Sequence, residues 1–300
     1  MNSEIINEKI STTVNSQSKI SVEERVRFLK NLKSEIKLNE EDIYEALDLD
    51  LKKPRFETFA TEIGFLLNEI ELFIKKLRSW SKPKGIRSAL INFPSKDYII
   101  FEPYGKVLVI SPWNYPFQLA LLPAMSAFAA GNSVVLKPSE HTPNTSKLIK
   151  KIVEKVFPTE LMSVIEGDSK TASKLLEKKW DYIFFTGSVK IGEIVAMAAA
   201  KNLTPYTLEL GGKSPAIINK DIDLKLASKR IVWGKFLNSG QTCVAPDYLV
   251  AHKSIKGALI KELIKRIEKT LGKQLEKTED FTAIVNEKNF NRLVGLINKN

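Results

Sequence analysis

Apolar residues recur at helical spacing through the N-terminal part of the sequence. Between residues 22 and 36 they fall three or four positions apart, and Ser21 followed by Glu24 forms a capping-box pattern at the start of that stretch. Asn39 is placed to cap a second helix. A third apolar stripe predicts a helix over residues 57–80. These stripes are packing surfaces and predict a helical N-terminal region.

The pattern changes to strand-like runs after residue 81. The runs "ALINF" and "DYIIFE" are separated by Pro94 and Ser95. Short β-like runs on either side of a turn predict a projecting β-hairpin.

Beyond residue 104, apolar strand-like runs alternate with amphipathic segments of helix length. This alternation predicts an α/β fold of the doubly wound, Rossmann-like class, with a parallel sheet that binds ligands at the carboxyl ends of its strands. The predicted strands are 106–110, 133–136, 161–165 and 182–186, and the predicted helices are 117–130, 145–156, 169–178 and 188–200.

Two further strand-like runs, "YTLEL" and "SPAIIN", lie on either side of Gly211 and Gly212. We interpret the two glycines as a hinge into a second domain. A helix over residues 224–237, a loop that holds Cys243, a strand near "DYLVAH" and two Lys-rich helices are predicted to follow.

No charged residue lies between Val107 and Leu136, a stretch long enough to span a bilayer. Prolines 112, 116 and 123 divide it into pieces that are each too short to cross. The pieces instead match a buried strand, a crossover helix and a second parallel strand. The sequence therefore predicts no membrane span.

Composition narrows the class further. With 43% hydrophobic and 27% charged residues, the 300-residue chain has the composition of an average globular protein. Its net charge of +11 raises nucleic-acid binding as an alternative, but the lysines are scattered through amphipathic stretches and favour a solvated surface. A single cysteine excludes an intrachain disulfide, and the first residues lack the apolar core of a signal peptide. We expect a cytoplasmic protein that does not bind nucleic acid.

Cys243 is the first candidate for chemistry. In "NSGQTCVAPDY" the flanking Gly240 and Pro246 argue against a helix interior and favour a reactive thiol, although a lone cysteine can also simply fill space. The two histidines, His141 and His252, match no protease signature and make a poor zinc set with one cysteine. No metal site is predicted.

Glu209 is the candidate base. In "YTLELGGKSP" it interrupts an apolar strand directly before two glycines. If it is buried, its carboxyl has a raised pKa suited to proton abstraction. An edge-strand glutamate that faces water is the alternative, and the sequence leaves both open.

Loops that follow the predicted strands carry further polar groups. In "FFTGSVKIG", Gly187 forms a turn, Ser188 opens a helix and Gly192 lies on its first turns, so backbone N–H groups there are placed to bind a pyrophosphate. Lys137 in "VVLKPSE" brings a cation to the same edge of the sheet. In "SPWNYPF" two prolines fix a loop in which Asn114 either donates to an oxyanion or stabilises a turn.

Taken in order, the segments "PWNYPF", "KPSE", "FTGS" with Gly192, "LELGGKSP" and "GQTCVAPDY" resemble the aldehyde dehydrogenase superfamily. The "CVAPDY" segment and the short helical N-terminus resemble its class 3 branch, which includes fatty-aldehyde and coniferyl-aldehyde dehydrogenases. The resemblance runs over essentially the whole chain.

The resemblance implies NAD(P)-dependent oxidation of aldehydes to carboxylic acids. Cys243 would attack the aldehyde, with Asn114 and the Cys243 backbone N–H as the oxyanion hole. The thiohemiacetal would pass hydride to the nicotinamide, and water activated by Glu209 would hydrolyse the resulting thioester. Medium- or long-chain aliphatic aldehydes and aromatic aldehydes are the expected substrates.

For the cofactor, the resemblance implies that Lys137 and Glu140 contact the adenosine ribose and that Ser188 lies at the pyrophosphate. A carboxylate near the ribose favours NAD over NADP, and class 3 relatives often accept both. The implied cofactor-binding residues are Trp113, Lys137, Glu140, Gly187, Ser188 and Gly192.

The resemblance also implies a division of the chain. Residues 1–82 and 104–210 would form the dinucleotide-binding domain, residues 83–103 an oligomerisation hairpin used in a homodimer, and residues 211–300 an incomplete catalytic domain. Family members continue further, with a Glu-x-Phe motif and a dimerisation tail. We therefore expect either a C-terminally truncated form or a chain whose remainder lies on another chain, and the sequence leaves both open. On its own, the 300-residue chain is expected to be a poor enzyme or an inactive dinucleotide-binding fragment.

Overall fold

The computed structural model describes residues 20–274, 278 and 280–297. Its N-terminal part is helical, as the apolar stripes predict. The helices are α1 (Val22–Leu38), α2 (Glu40–Leu51), α3 (Arg55–Thr58) and α4 (Gly64–Trp80), with a π-helical turn at Phe59–Ile63 between the last two.

The cap of α1 agrees with the prediction and that of α2 does not. Ser21 and Glu24 form the reciprocal capping box at the start of α1. Asn39 occupies the N-cap position of α2, but its side-chain amide donates instead to the backbone oxygen and the carboxylate of Glu35, at 2.8 and 2.9 Å. Glu35 lies in the last turn of α1 and is buried, so the amide satisfies a buried acceptor there rather than the α2 N–H groups.

The predicted hairpin is present, with a different first strand. Strand β1 (Lys84–Ile86) pairs antiparallel with β2 (Asp97–Ile99). The "ALINF" run contains a 3-10 turn at Leu90–Asn92 instead of a strand. Strand pairing requires a partner, and the register of β2 matches residues 84–86 rather than this run, so its apolar side chains are left exposed.

A five-stranded sheet forms the centre of the fold, and the α/β prediction is confirmed. Its strand order is β5-β4-β3-β6-β7, and all neighbouring strands are parallel. The elements are β3 (Lys106–Ile110), α5 (Gln118–Ala129), β4 (Ser133–Lys137), α6 (Pro143–Val156), β5 (Met162–Val164), α7 (Ser169–Leu176), β6 (Tyr182–Gly187), α8 (Val189–Lys201) and β7 (Tyr206–Leu210).

Alternate side chains of this sheet enter two separate cores, because successive residues of a strand point to opposite faces. On β3, Val107 and Val109 pack with the N-terminal helices, α5 and α6. Leu108 and Ile110 pack on the other face with residues of α7 and α8. The sheet is therefore covered on both faces and doubly wound.

The remaining elements form a smaller parallel pair. Strand β8 (Ser214–Ile218) pairs with β9 (Pro246–Ala251). The other elements are α9 (Leu224–Phe236), a 3-10 turn (Leu237–Gly240), α10 (Lys256–Leu271) and α11 (Glu287–Ile297). Helix α10 is Lys-rich as predicted, whereas the described α11 contains one lysine. In the described part of the chain, no helix has the length and apolar character needed to cross a membrane.

Candidate active site

Cys243 lies in a loop with its side chain exposed, as the sequence predicts. Helix α9 ends at Phe236, and the backbone then takes three consecutive left-handed conformations, at Asn238 (φ 54°), Ser239 (φ 54°) and Gly240 (φ 74°). Residues other than glycine rarely adopt this region, and such strain persists only where surrounding contacts enforce it. The turn separates α9 from the thiol loop and keeps Cys243 outside any helix.

A half-buried carboxylate supports this turn. Glu57, in α3, accepts hydrogen bonds from the backbone N–H of Asn238 (3.0 Å) and from the hydroxyl of Thr282 (2.9 Å). Ser239 donates from its hydroxyl to the backbone oxygen of Thr282. Burial raises the pKa of Glu57, against the opposing hydrogen bonds from Thr282 and Asn238. No local sequence pattern marks this carboxylate, because its partners Asn238 and Thr282 lie far away in the chain.

The loop after β3 contacts the two residues that precede Cys243. The Asn114 side-chain nitrogen donates to the backbone oxygen of Gln241 at 2.8 Å, and the Tyr115 hydroxyl is 2.6 Å from the Thr242 hydroxyl. An amide NH₂ group has two hydrogens, so one remains to bind a ligand. Burial raises the pKa of Tyr115 to about 12, against the opposing hydrogen bond with Thr242, and the phenol stays neutral at physiological pH.

Two further residues beneath this loop were not identified from the sequence. The side chains of Lys53 and Glu62 form a fully buried ion pair. Lys53 also donates to the backbone oxygen of Asn114 at 3.1 Å. Lys53 follows another lysine in the link between α2 and α3, Glu62 lies in a stretch that reads as helical, and no local pattern marks either side chain as buried.

Glu209 lies on β7, the edge strand of the five-stranded sheet, and is exposed. The buried alternative is therefore wrong, because an edge strand has no neighbour to cover this position. Its neighbours Leu208 and Leu210 pack on the α7 and α8 face, so Glu209 points to the opposite face. There it lines a groove of about 470 Å³ that Cys243 also lines.

This groove runs between α5 and the face of the five-stranded sheet on which α5 packs, and its lining is mainly apolar. Its lining residues are Tyr104, Val107, Leu119, Leu122, Pro123, Ser126, Ala127, Ala130, Asn132, Tyr182, Phe184, Thr186, Glu209 and Cys243. The structure thus brings together the candidate nucleophile and the candidate base, which are separated in sequence by the β8 and α9 segment.

Gly212 explains part of this proximity. A Cβ atom at this position would lie 2.9 Å from the backbone oxygen of Cys243, whereas one at Gly211 would have no neighbour within 4 Å. The link between β7 and β8 therefore passes directly against the thiol loop, and only the second glycine is needed for that approach.

The candidate cofactor residues lie at the carboxyl ends of β4 and β6, on either side of β3. Lys137 is the last residue of β4, and its buried amine lies 2.6 Å from the carboxylate of Glu140. Although burial favours the neutral acid, the hydrogen bond from Lys137 holds the pKa of Glu140 below its usual value. The cation is therefore paired within the protein, rather than extended alone toward the edge of the sheet.

Ser188 is the N-cap of α8, and its hydroxyl accepts a hydrogen bond from the backbone N–H of Ile191 at 3.4 Å. Gly187 ends β6, and a Cβ atom there would lie 2.5 Å from the ring of Phe185. A Cβ atom at Gly192 would lie 2.8 Å from Leu210. Gly192 therefore lets α8 pack closely against β7. The N-terminus of α8 is exposed at Ser188, and its backbone N–H groups and the positive end of the helix dipole favour an anion such as a pyrophosphate.

Trp113 is half-buried in the loop that also carries Asn114. Both His141 and His252 are exposed, and His252 Nδ1 lies 2.7 Å from the Ser254 hydroxyl. Among the residues that the structure describes, no group of three His, Cys, Asp or Glu side chains could hold a metal ion.

Fold and site together define a protein with an exposed thiol in a loop at the carboxyl edge of a doubly wound parallel sheet. The pattern of the aldehyde dehydrogenase family matches residues 5–300. The chain belongs to the aldehyde dehydrogenase family.

Individual relatives agree with this assignment. The chain is 46% identical, over 95% of its length, to the 4,4'-diaponeurosporen-aldehyde dehydrogenase of Staphylococcus aureus, of which it covers 62%. It is 41% identical, over 91% of its length, to the dimeric NADP-preferring aldehyde dehydrogenase of Canis lupus familiaris, of which it covers 60%. A solved structure, the substrate-bound state of Staphylococcus aureus AldH, superposes with a TM-score of 0.95 at 44% identity and covers 99% of this chain and 65% of that one. The chain thus spans about three fifths of the length of these relatives.

Proposed function

We propose that this protein oxidises aldehydes to carboxylic acids with NAD(P) through covalent chemistry at Cys243. The observation that carries the proposal is the shared groove, which is lined by the exposed thiol of Cys243 and by Glu209. The Asn114 amide is bonded to the backbone two residues before that thiol. A nucleophile, an acid–base group and an amide N–H donor are the groups that acyl chemistry on a thiol requires.

Each residue has one role in this proposal. The Cys243 thiolate attacks the aldehyde carbon, the new C–S bond places the negative charge on oxygen, and Asn114 donates an N–H to that oxygen. A bound nicotinamide dinucleotide would accept the hydride that leaves the former aldehyde carbon, and this two-electron oxidation converts the adduct into a thioester on Cys243. Glu209 takes a proton from water, which attacks the thioester carbon, releases the carboxylic acid and regenerates the thiolate.

The groove supports an apolar substrate. Its lining between α5 and the sheet is made mainly of aliphatic and aromatic side chains. Two relatives are named for the aldehydes that they oxidise, the 4,4'-diaponeurosporen-aldehyde dehydrogenase and the 4,4'-diapolycopene-4,4'-dial dehydrogenase of Cytobacillus firmus, the latter 44% identical over 92% of this chain. We infer that medium- or long-chain aliphatic aldehydes or aromatic aldehydes are the substrates.

The decisive experiment follows reduction of NAD and NADP at 340 nm with hexanal and with benzaldehyde. Cys243→Ala is expected to abolish the reaction. Glu209→Gln is expected to release one equivalent of reduced cofactor and then stall, with the acyl group detectable as added mass on the protein. Normal steady-state turnover by Glu209→Gln would remove Glu209 from the mechanism. Cofactor binding without any turnover by the parent chain would favour the alternative, a dinucleotide-binding chain that is inactive alone.

We propose that Lys137, Glu140 and Ser188 bind the adenosine end of NAD, with Trp113, Gly187 and Gly192 in the same site. Lys137→Ala is expected to weaken dinucleotide binding by about 1.5–3 kcal/mol, the contribution of a charged hydrogen bond. Glu140→Gln is expected to reduce discrimination against NADP, because the carboxylate disfavours a 2′-phosphate. Calorimetry that shows parent-like binding by both variants would place the cofactor elsewhere.

We also propose that the β1–β2 hairpin, in the predicted segment 83–103, associates with a second copy of the chain. Ile91 at its tip is 92% exposed. Ile91→Lys is expected to lower the sedimentation coefficient of the dimer toward that of a monomer. Leu38→Lys is the control, because Leu38 is 76% exposed at the end of α1 and outside the hairpin. An unchanged dimer with Ile91→Lys would exclude the hairpin.

A further inference from the structure

The buried ion pair of Lys53 and Glu62 lies directly beneath the loop that carries Asn114. Both side chains are fully buried and in contact. Lys53 lies in the link between α2 and α3, and Glu62 lies in the π-helical turn before α4. Removing two charges from water costs several kcal/mol for each ion, so the pair is expected to serve a purpose that apolar residues could not.

The other polar contacts of this pair go to one short segment, residues 114–118. Lys53 Nζ donates to the backbone oxygen of Asn114 at 3.1 Å and lies 4.4 Å from the centre of the Tyr115 ring. The second carboxylate oxygen of Glu62 accepts hydrogen bonds from two successive backbone N–H groups where α5 begins, at 2.9 and 3.0 Å. The pair therefore holds the loop at both ends, with hydrogen bonds that are about twice as strong as neutral ones.

A third group acts on the same atom. The side-chain nitrogen of Asn238 donates to the backbone oxygen of Asn114 at 2.9 Å, so this carbonyl accepts hydrogen bonds from two side chains, those of Asn238 and Lys53. With its backbone fixed, the Asn114 side chain reaches the backbone oxygen of Gln241. One N–H of the Asn114 amide is thereby bonded to Gln241, and the other N–H remains available for a ligand beside the thiol loop.

We propose that Lys53 and Glu62 are positioning residues, which hold the Asn114 amide at the place where the oxyanion of the Cys243 adduct forms. This inference rests on the proposed function, because it explains how that function places its oxyanion donor. Stability alone does not account for the pair, since replacing a buried ion pair with neutral residues of similar volume is often neutral or stabilising. Alignment accounts for it, because a displacement of about 1 Å can cost roughly a hundredfold in rate.

The test compares two reactions of Cys243, the only cysteine in the chain. With p-nitrophenyl acetate, the thiolate attacks the carbonyl carbon, a tetrahedral oxyanion forms, nitrophenolate leaves and an acetyl thioester remains. With iodoacetamide, the thiolate forms a C–S bond and displaces iodide without an oxyanion. Both reactions depend equally on the exposure and ionisation of the thiol, but only acylation passes through an oxyanion. The ratio of the acylation rate to the alkylation rate therefore measures how well the oxyanion is stabilised.

The main variant is Lys53→Met/Glu62→Gln, which removes both charges and leaves neither ion unpaired. We expect its acylation to alkylation ratio to fall about tenfold or more, toward the fall of roughly 10²–10³ expected for Asn114→Ala, with a parent-like melting temperature. Lys53→Arg keeps the charge and is expected to retain most of the ratio. Lys151→Met/Asp42→Asn is the control, because that 3.0 Å ion pair is exposed, and it is expected to behave like the parent.

Two results would overturn the inference in distinguishable ways. A parent-like ratio in the double variant, together with a low ratio in Asn114→Ala, excludes the positioning role and leaves the proposed function intact. A parent-like ratio in Asn114→Ala removes the oxyanion role itself, and the positioning role with it. If the double variant does not melt cooperatively, Lys53→Leu/Glu62→Gln is measured instead, because it too leaves neither ion unpaired, with the same expected fall and the same contrary outcome.

Discussion

The part of the chain that the structure describes contains two parallel sheets whose strands are similarly apolar but differently buried. In the five-stranded sheet, Leu136 is fully buried, and both faces are covered by helices. In the β8–β9 pair, Ile217 is 80% exposed and Val250 is 50% exposed. The contrast shows that an apolar strand pattern fixes the strand and its pairing, whereas burial depends on the elements that are present to cover it.

The candidate nucleophile lies in the less buried of the two regions, but the hydrogen bonds that hold its loop come from the well-buried one. Cys243 precedes β9, in the less buried region. Its loop is held by contacts from the other region, with Asn114 and Tyr115 bonded to the two residues before the thiol and Glu57 bonded to the left-handed turn. The well-buried region therefore carries the candidate cofactor residues, and its side chains also make the hydrogen bonds that hold the thiol loop in place.

The largest expected effect is on the free energy of unfolding, which a truncated side chain should lower much more in the five-stranded sheet than in the β8–β9 pair. Leu136→Ala opens a cavity in a core and is expected to lower the free energy of unfolding by about 2–5 kcal/mol. Ile217→Ala removes an exposed side chain of the same volume and is expected to cost less than about 1 kcal/mol. The measurement is the urea midpoint of each variant against the parent.

Equal losses in the two variants would contradict this difference in burial, because they would show that β8 is covered in solution. Self-association of the chain is one way in which that could occur. Repeating the measurement at tenfold lower protein concentration distinguishes the two cases, since only an association-dependent loss varies with concentration.

The five-stranded sheet is the part of the fold that the sequence predicts best. Strand β3 was predicted at residues 106–110 and occurs there, because a strand buried on both faces is a continuous apolar run between polar turns. Such runs carry their signal locally. The "ALINF" run was predicted wrongly for the opposite reason, since whether a short apolar run becomes a strand depends on a partner that the local pattern does not identify.

The candidate site divides in the same way. Cys243, Asn114 and Ser188 lie in the loops or caps where the sequence places them, because glycine, proline and capping residues act on their immediate neighbours. The Lys53–Glu62 pair was missed, since its contacts join residues up to 61 positions apart. The exposure of Glu209 likewise depends on β7 being an edge strand, which is a property of the sheet order and not of the run "YTLEL".

A second prediction tests whether the reactivity of Cys243 depends on the close approach of Gly212 to the thiol loop. Gly212→Ala would place a Cβ atom 2.9 Å from the backbone oxygen of Cys243 and is expected to displace the thiol loop. We expect the acylation of Cys243 by p-nitrophenyl acetate to slow about tenfold. Gly211→Ala is the matched control, because a Cβ atom there has no neighbour within 4 Å, and it is expected to react like the parent. If both variants react alike, the thiol loop does not depend on this close approach.

The smallest expected effect concerns Glu57, which joins the two regions through Asn238 and Thr282. Burial raises the pKa of Glu57 in the folded chain above the ordinary value of 4.5. The folded state then binds this proton more tightly than the unfolded state does. The contribution of Glu57 to stability is therefore greatest below about pH 4.5 and falls as the pH rises through the raised pKa.

Glu57→Gln removes that titration and keeps an amide oxygen that can accept a hydrogen bond from Asn238 or Thr282. The melting temperature of Glu57→Gln relative to the parent is therefore expected to rise between about pH 4 and pH 8, as the parent carboxyl ionises. Glu41→Gln is the opposite control, because a hydrogen bond from exposed Arg55 lowers the pKa of Glu41, so the stability that Glu41 gives the parent is present above about pH 4.5 and is lost as the pH falls through the lowered pKa. That contribution is small because the pair is exposed. A relative melting temperature of Glu57→Gln that falls with pH would mean that the ionised carboxylate, with its two hydrogen bonds, stabilises the left-handed turn more than its burial destabilises it.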